Sequence, residues 1–548
     1  MPPRARDHGC TSYLDEWAYD GHGPEDELTR LDHVYNQSIA DLFDRTSNYE
    51  IVGWRPLVDL LKHLTGLHSL IWACQNPIPP RVLRVLQQDI RNCRLNHRTF
   101  KLPSLHQYVG NLHDIDQHDY ALATSKYLTS ILVPLTHYDA EGCVEYNQEA
   151  VRQMAAGLAP NLTHVHIVYR YCGRKIPDVV RRGRPRWKGF FIKDAENTDD
   201  EEVEVPPSIH LQAWSLSPAS LTYFTEWEAY IAFSELHILQ LWAVSVETLI
   251  EARTLQLNSL KTLALDLEYP GDRYGDFDRT KALRLDGAAG NFLSGMAVSL
   301  QSIHLSGIPI CERAFQAVID HHGKTLHTLS LVSPGSCSPA GVQATPNRIR
   351  KIQKHCPNIR DLRLPIRRTK GDSREVDIYK AFGVFSNLTD LLLQLDMTNG
   401  LPPPPFERPS TTAQWVLDTF INAAVDETLV RTMIHKIVRA GAHSLQRFKV
   451  ISNLEVTHPV ELVNIVHVMA RKWKCTRFPA IKDKDAEPCE AKVVVEELGA
   501  KARMFRNTLS HAEDRVRLDP YEPLFRQLWP DRILDRYWDD EWQSFPLS

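Results

Sequence analysis

Ten cysteines lie scattered from Cys10 to Cys489, and no two form a Cys-x-x-Cys pair. That absence argues against zinc-ribbon and dithiol redox motifs, and in a chain this long it points to a reducing compartment rather than a disulfide framework. Long apolar runs are lacking too. Even Tyr127 to Leu135 is broken by Thr129, Ser130 and Pro134, well short of the roughly 20 apolar residues that cross a bilayer. The start, Met1-Pro2-Pro3-Arg4-Ala5-Arg6-Asp7, has no apolar stretch of the secretory kind. A soluble protein of cytosol or nucleus, without a membrane partner, is expected. The sequons at Asn36, Asn161 and Asn387 are then chance matches. A formal net charge of -5 gives no global pull toward nucleic acid or anionic lipid.

Catalytic signatures are equally scarce. There is no Gly-x-Ser-x-Gly elbow, His-Glu-x-x-His or Walker loop, and the Gly21-x-Gly23 pair lacks its third glycine, so no catalytic residue, cofactor or metal is assigned and the chain is expected not to be an enzyme. His164-x-His166 puts two imidazoles on one strand face, but no third ligand is spaced to join them. Asp272, Asp276 and Asp278 resemble a calcium loop in charge alone. His355-Cys356, and Cys311 with His321 and His322, fall at helix ends, where small thiols pack.

What the chain does contain is a returning phrase: Leu300-Gln301-Ser302-Ile303-His304-Leu305, Leu326-His327-Thr328-Leu329-Ser330-Leu331, Ile359-Arg360-Asp361-Leu362-Arg363-Leu364 and Leu388-Thr389-Asp390-Leu391-Leu392-Leu393. Apolar residues at the first, fourth and sixth places, each phrase followed by helical spacing, mark a leucine-rich repeat, in which no unit can bury its own apolar face. Further copies begin at Leu236, Leu260 and Leu445, with weaker ones at Leu64 to Trp72 and Leu162 to Ile167. The spacing varies from 24 residues (Leu236 to Leu260) to 57 (Leu388 to Leu445), against roughly 20 to 29 in regular arrays. The expected fold is therefore α/β, an irregular solenoid of the ribonuclease-inhibitor kind with a parallel concave sheet and outer helices. Helices are expected over Val82 to Cys93, Glu145 to Leu158, Val246 to Leu255, Leu283 to Val298, Glu312 to His321 and Ile349 to His355, with two over Thr412 to Arg439.

In a strand, the fourth and sixth places share one face, so the third and fifth look the other way. This alternation predicts a polar concave ladder. The candidate protein-binding residues on it are His164, His166, Trp242, His304, Asp361, Arg363, Arg447 and Lys449, exposed aromatic and charged groups on a rigid sheet.

Three segments divide the chain: 1–50, 51–455 carrying the repeats, and 456–548 as an α/β cap. Residues 170–207 interrupt the repeats with a basic and then an acidic run, read as an exposed insertion. Within it, Arg182-Gly183-Arg184-Pro185 resembles the core of an AT-hook, which lays arginines into a narrow minor groove. DNA or chromatin association through these four residues is the alternative reading. Beyond residue 456, a helix over Pro459 to Trp473 and a strand near Ala491 to Val495 are expected. Tyr521, Phe525 and Trp529 fall four apart, so that one helical face could cover the last repeat.

Trp54-Arg55-Pro56-Leu57, the leucines of Leu60 to Leu70, Trp72, Pro79-Pro80, Leu83, Leu86, Cys93-Arg94-Leu95 and His355-Cys356-Pro357-Asn358-Ile359-Arg360-Asp361-Leu362 together resemble the repeat portion of fungal F-box proteins. The likeness covers roughly residues 50–475 and touches Leu528-Trp529-Pro530. It implies a substrate-receptor role in a cullin-type ubiquitin ligase, with an F-box docking a Skp1-type adaptor and the repeats selecting the substrate. Before Trp54 the chain departs from that pattern, with no Leu-Pro-x-Glu start and no Val-Cys-x-x-Trp end. The F-box is then lost, degenerate or encoded upstream of Met1, and an adaptor without any ligase role stays open.

Overall fold

A computed structural model describes residues 54–74, 77–90, 92–108, 113–136, 143–170, 187, 189–190, 211–217, 221–267, 278–307, 312–332, 343–397, 409–453, 460–478, 492–498, 521–530 and 542–548. It is an α/β protein in two compact units, one of residues 54–264 with 296–298, the other of 265–295 and 299–548. Segment 1–50 and the four residues Arg182, Gly183, Arg184 and Pro185 lie outside the described residues.

The N-terminal unit holds β1 (Ser69–Trp72), β2 (Arg94–His97), β3 (His106–Tyr108), β4 (Leu128–Thr136), β5 (Cys143–Glu145), β6 (His164–Arg170), β7 (Ala213–Ser217) and β8 (Ile238–Val244), and it reaches the start of β9 (Thr262–Leu267). β1, β2, β4, β6, β7 and β8 pair in that order, all parallel. β3 and β5 form a separate antiparallel pair. β4, β7 and β8 bury the first, fourth and sixth residues of the phrase: Leu128, Ile131 and Val133; Leu211, Trp214 and Leu216; Leu236, Leu239 and Leu241.

β2, β4 and β7 go beyond the repeats read from sequence. In β7 a tryptophan takes the fourth place, and Trp214 packs its ring 5.5–5.8 Å from Phe224, Trp227 and Phe233. In β2 a histidine takes the sixth place, and His97 sits edge-on to Phe100 at 5.5 Å. Packing volume, not leucine itself, is what the interior demands.

The C-terminal unit carries β10 (Ser302–Ser306), β11 (Thr328–Ser330), β12 (Asp361–Arg367), β13 (Asp390–Asp396), β14 (Arg447–Asn453), β15 (Lys472–Arg477) and β16 (Val493–Leu498). β10 to β14 pair parallel in chain order. Leu362, Leu391 and Phe448 stand in register, as do Leu364, Leu393 and Val450. Leu305, Leu331, Leu364 and Leu393 are all buried, so successive strands share one dry layer.

Beyond residue 455, in the segment expected as an α/β cap, β15 and β16 extend the sheet antiparallel. The expected helix to Trp473 stops early, at Met469. Lys472 to Arg477 alternates with period two, burying Trp473 and Cys475 while lysines take the other face.

Side chains at the turns tie each repeat to the one before. Asn161 Nδ2 donates to the Lys126 carbonyl at 2.5 Å, Asn358 Nδ2 to Lys324 at 2.8 Å, Asn387 Nδ2 to Pro357 at 3.1 Å, and Ser444 Oγ to Ser386 at 2.6 Å. Two of the three sequon asparagines thus use their amides in the fold. Neighbouring repeats also touch at Gly383, where a Cβ would come within 2.2 Å of the Ala440 carbonyl.

Helix Glu312–Ala317 is started from outside itself. The N–H groups of Arg313 and Ala314 donate to the buried Asp286 carboxylate at 3.0 and 2.9 Å. Asp286→Ala should therefore cost about 1–3 kcal/mol, the penalty for two backbone donors left unsatisfied. Urea denaturation checks this, and Asp286→Asn should recover part of the loss.

The aromatic tail packs on helix Pro409–Ala423 rather than on the last strand. Phe525 and Tyr521 meet Phe420 at 6.1 and 6.5 Å. Residues 542–548 form a strap across the same unit: Ser544 donates to Asp426 through N and Oγ at 2.9 and 2.6 Å, and Ser548 N donates to the Gly371 carbonyl at 2.8 Å.

Candidate functional site

Five of the eight ladder residues come together on one face of the C-terminal unit. His304, Ser330, Arg363, Leu392 and Lys449 form a single row, each in register with the next. Two residues earlier runs a second row, Ser302, Thr328, Asp361, Asp390 and Arg447. Polar pairing fixes both. Arg363 donates to its own strand's Asp361, Nε at 3.2 Å and Nη2 at 2.7 Å, and Arg447 Nη2 reaches across to Asp390 at 2.7 Å. The Ser302 hydroxyl lies 3.1 Å from His304 Nε2.

These side chains differ in access. The expectation of exposure fails for Arg363, which is buried with Ser330 and Leu392 of its row; its side chain is 11% exposed against 42% for Arg447, so Arg447 can change partners at little desolvation cost while Arg363 is a structural anchor. Lys449 stands opposite Lys474 of β15. On its other side Lys474 stands opposite Glu496 of β16, so an acid lies in register with this pair of cations. Lys474 was missed from sequence because it falls just past the helix expected to end at Trp473, where no strand was expected. Asp390 was legible, in the third place of its phrase.

The other three ladder residues belong to the N-terminal unit, and there the expectation of exposure fails for His166. It is fully buried, in register with Ser215 and Gln240, which are buried as well. Neither ring nitrogen of His166 has a hydrogen-bond partner. Burial holds its pKa well below the usual value, with smaller contributions from His164 and Arg98. Strand alternation tells which face a residue takes, not whether that face is covered. His164 and Trp242 are half-buried. His164 Nδ1 lies 2.8 Å from Thr163 Oγ1, and burial lowers its pKa.

The histidine and cysteine pairs considered from sequence take structural positions where they are described. His322 is buried, accepting the Leu300 N–H at Nδ1 (3.2 Å) and therefore donating from Nε2 to the Leu293 carbonyl (3.0 Å). Cys356 is buried and its thiol pKa is pushed up to about 12 by burial, the reverse of what an attacking thiolate needs. Cys311 lies outside the described residues. Among the described residues, no group of three or more His, Cys, Asp or Glu is placed to hold a metal ion.

No protein-family model matches this chain, and no curated protein is similar to it.

Proposed function

We propose that this chain is a protein-recognition scaffold of the leucine-rich-repeat type, non-enzymatic, with the His304–Lys449 face of its C-terminal unit as the contact surface. The observation that supports the reading most is the register that locks His304, Arg363 and Lys449 into one row beside Asp361, Asp390 and Arg447. Charged side chains ordered before contact lose little entropy on binding, and a face of mixed sign suits selection among partners more than raw affinity. The repeating apolar phrase supports the solenoid assignment in the same way.

Arg447→Ala/Lys449→Glu tests this. Tagged full-length chain retained on a resin in native extract should lose at least about tenfold of its specifically bound protein in the variant, read by quantitative mass spectrometry. An unchanged bound set would contradict the choice of face. A substrate-receptor role in a cullin-type ligase is the finer form of the proposal. It further requires that a Skp1-type adaptor be retained by wild type and variant alike, since adaptor and substrate would use different surfaces. Absence of the adaptor would leave the plain adaptor-free scaffold.

A further inference from the structure

One edge of the C-terminal unit, where helices end and parallel strands begin, carries cations without acids. Helix ends and the turns after them, residues 321–327, 354–360 and 440–446, hold Lys324, His327, Lys354, His355, Arg360 and His443 and not one Asp or Glu. The antiparallel strands return to the same edge: Arg477 N donates to the Gln446 carbonyl at 2.7 Å, and Phe478 N to that of Lys492 at 2.9 Å. Lys324, His327, Lys354, Arg360, His443 and Lys492 are exposed.

Several basic residues elsewhere in this unit are paired with carboxylates: Arg348 with Glu312, Arg363 with Asp361, Arg368 with Glu375, Lys370 with Asp418, Arg431 with Glu427, Arg447 with Asp390. Among the described residues, Lys324, Arg360, Arg477 and Lys492 have no such carboxylate. Helix C-termini favour nearby cations, which accounts for Lys354 in the last turn of its helix. Arg360, Arg477 and Lys492 lie past that influence, at strand ends.

The same edge is concave. A cleft of about 430 Å³ runs across four repeats, lined by His327, Asn358, Arg360, Asn387, Thr389, Ser444 and Gln446. Its floor is stiff, because Asn358, Asn387 and Ser444 are the residues that bind back to the preceding repeat. The lining offers amides, hydroxyls, a guanidinium and the imidazole of His327, with no carboxylate. We propose that this edge is a second docking surface, separate from the His304–Lys449 face, and that it takes an extended acidic segment of a partner protein. Side-chain amides suit a peptide backbone, and the spaced cations suit its carboxylates. Single-stranded nucleic acid would call for several rings on which successive bases stack, where the cleft has the single imidazole of His327.

Fluorescence anisotropy on the full-length chain tests this with a labelled peptide of three Glu-Asp-Ser-Gly units. Its Gln-Asn-Ser-Gly counterpart and a 12-base-pair duplex serve as comparison probes. The acidic peptide alone should bind at 50 mM salt. Its affinity should fall by about tenfold or more in Lys324→Glu/Arg360→Glu and stay unchanged in Arg374→Glu, which reverses an exposed charge at the opposite end of a helix. Thermal melts of both variants should match wild type. No binding of the acidic peptide, equal loss in Arg374→Glu, or tighter duplex binding abolished by the same double reversal would each overturn the inference. Loss confined to Arg447→Ala/Lys449→Glu would overturn it as well while leaving the proposed function standing.

Discussion

Glu375→Ala should destabilise the C-terminal unit by about 3–5 kcal/mol, the cost of leaving a buried charge without its counter-ion. Arg368 and Glu375 both have fully buried side chains, with Nη1 3.1 Å from Oε1. Three further donors converge on the same carboxylate: the Tyr379 hydroxyl at 2.7 Å, and the N–H groups of Thr369 and Gly371 at 2.8 and 3.0 Å. Burial first, then the Glu375 charge, raises the Tyr379 pKa well above its usual value, so the phenol stays a donor.

Removing the acid leaves a fully buried guanidinium without its counter-ion. Removing the base is milder, because the carboxylate keeps its three donors. Arg368→Met should thus cost clearly less than Glu375→Ala, and Tyr379→Phe only about 1 kcal/mol. The network also shapes the turn at Lys370 and Gly371, both with positive φ (64° and 79°), where the strap ending at Ser548 is received. Urea denaturation of the three variants decides the matter. Equal losses for Arg368→Met and Glu375→Ala would show that the charge pair is not what organises this turn.

Acid should unfold the N-terminal unit through two histidines. Burial lowers the His97 pKa from 6.5 to about 3 and holds that of His166 well below 6.5. Folded, both rings are neutral; unfolded, both take up a proton once the pH falls below about 6.5. The stability they permit is therefore fully present above that pH and is lost as the pH drops toward the folded values. Each histidine contributes about 1.4 kcal/mol per pH unit to that slope, or about 2 kcal/mol between pH 6.5 and 5. The groups that face His166 are His164 and Arg98, both able to add repulsion once the ring is charged. His166→Leu should reduce the slope by about half and raise stability at pH 5. A slope unchanged by that substitution would show that the ring is hydrated in the fold.

The strand phrase was legible because each repeat presents the same three apolar places, and Leu305, Leu331, Leu364 and Leu393 are buried on successive strands as the phrase requires. β7 escaped because Trp214 fills a leucine place, β2 because His97 does, and β15 because Lys472 and Lys474 mask its alternation. Of the candidate site, the row from His304 to Lys449 followed from counting places. The burial of His166 did not, since the closure of a face depends on what lies over it. The cationic edge escaped for another reason: its residues come from loops far apart in sequence, and only the register gathers them.

Native-state hydrogen exchange in wild type and Leu362→Ala tests most directly the claim that no repeat of the C-terminal unit is stable alone. Leu362 stands between Leu329 and Leu391 in register, so a cavity there should lower the protection of β11 and β13 amides along with those of β12. Loss of protection in β12 alone would mean separate cores, and the rigid register on which both proposed surfaces depend would be gone.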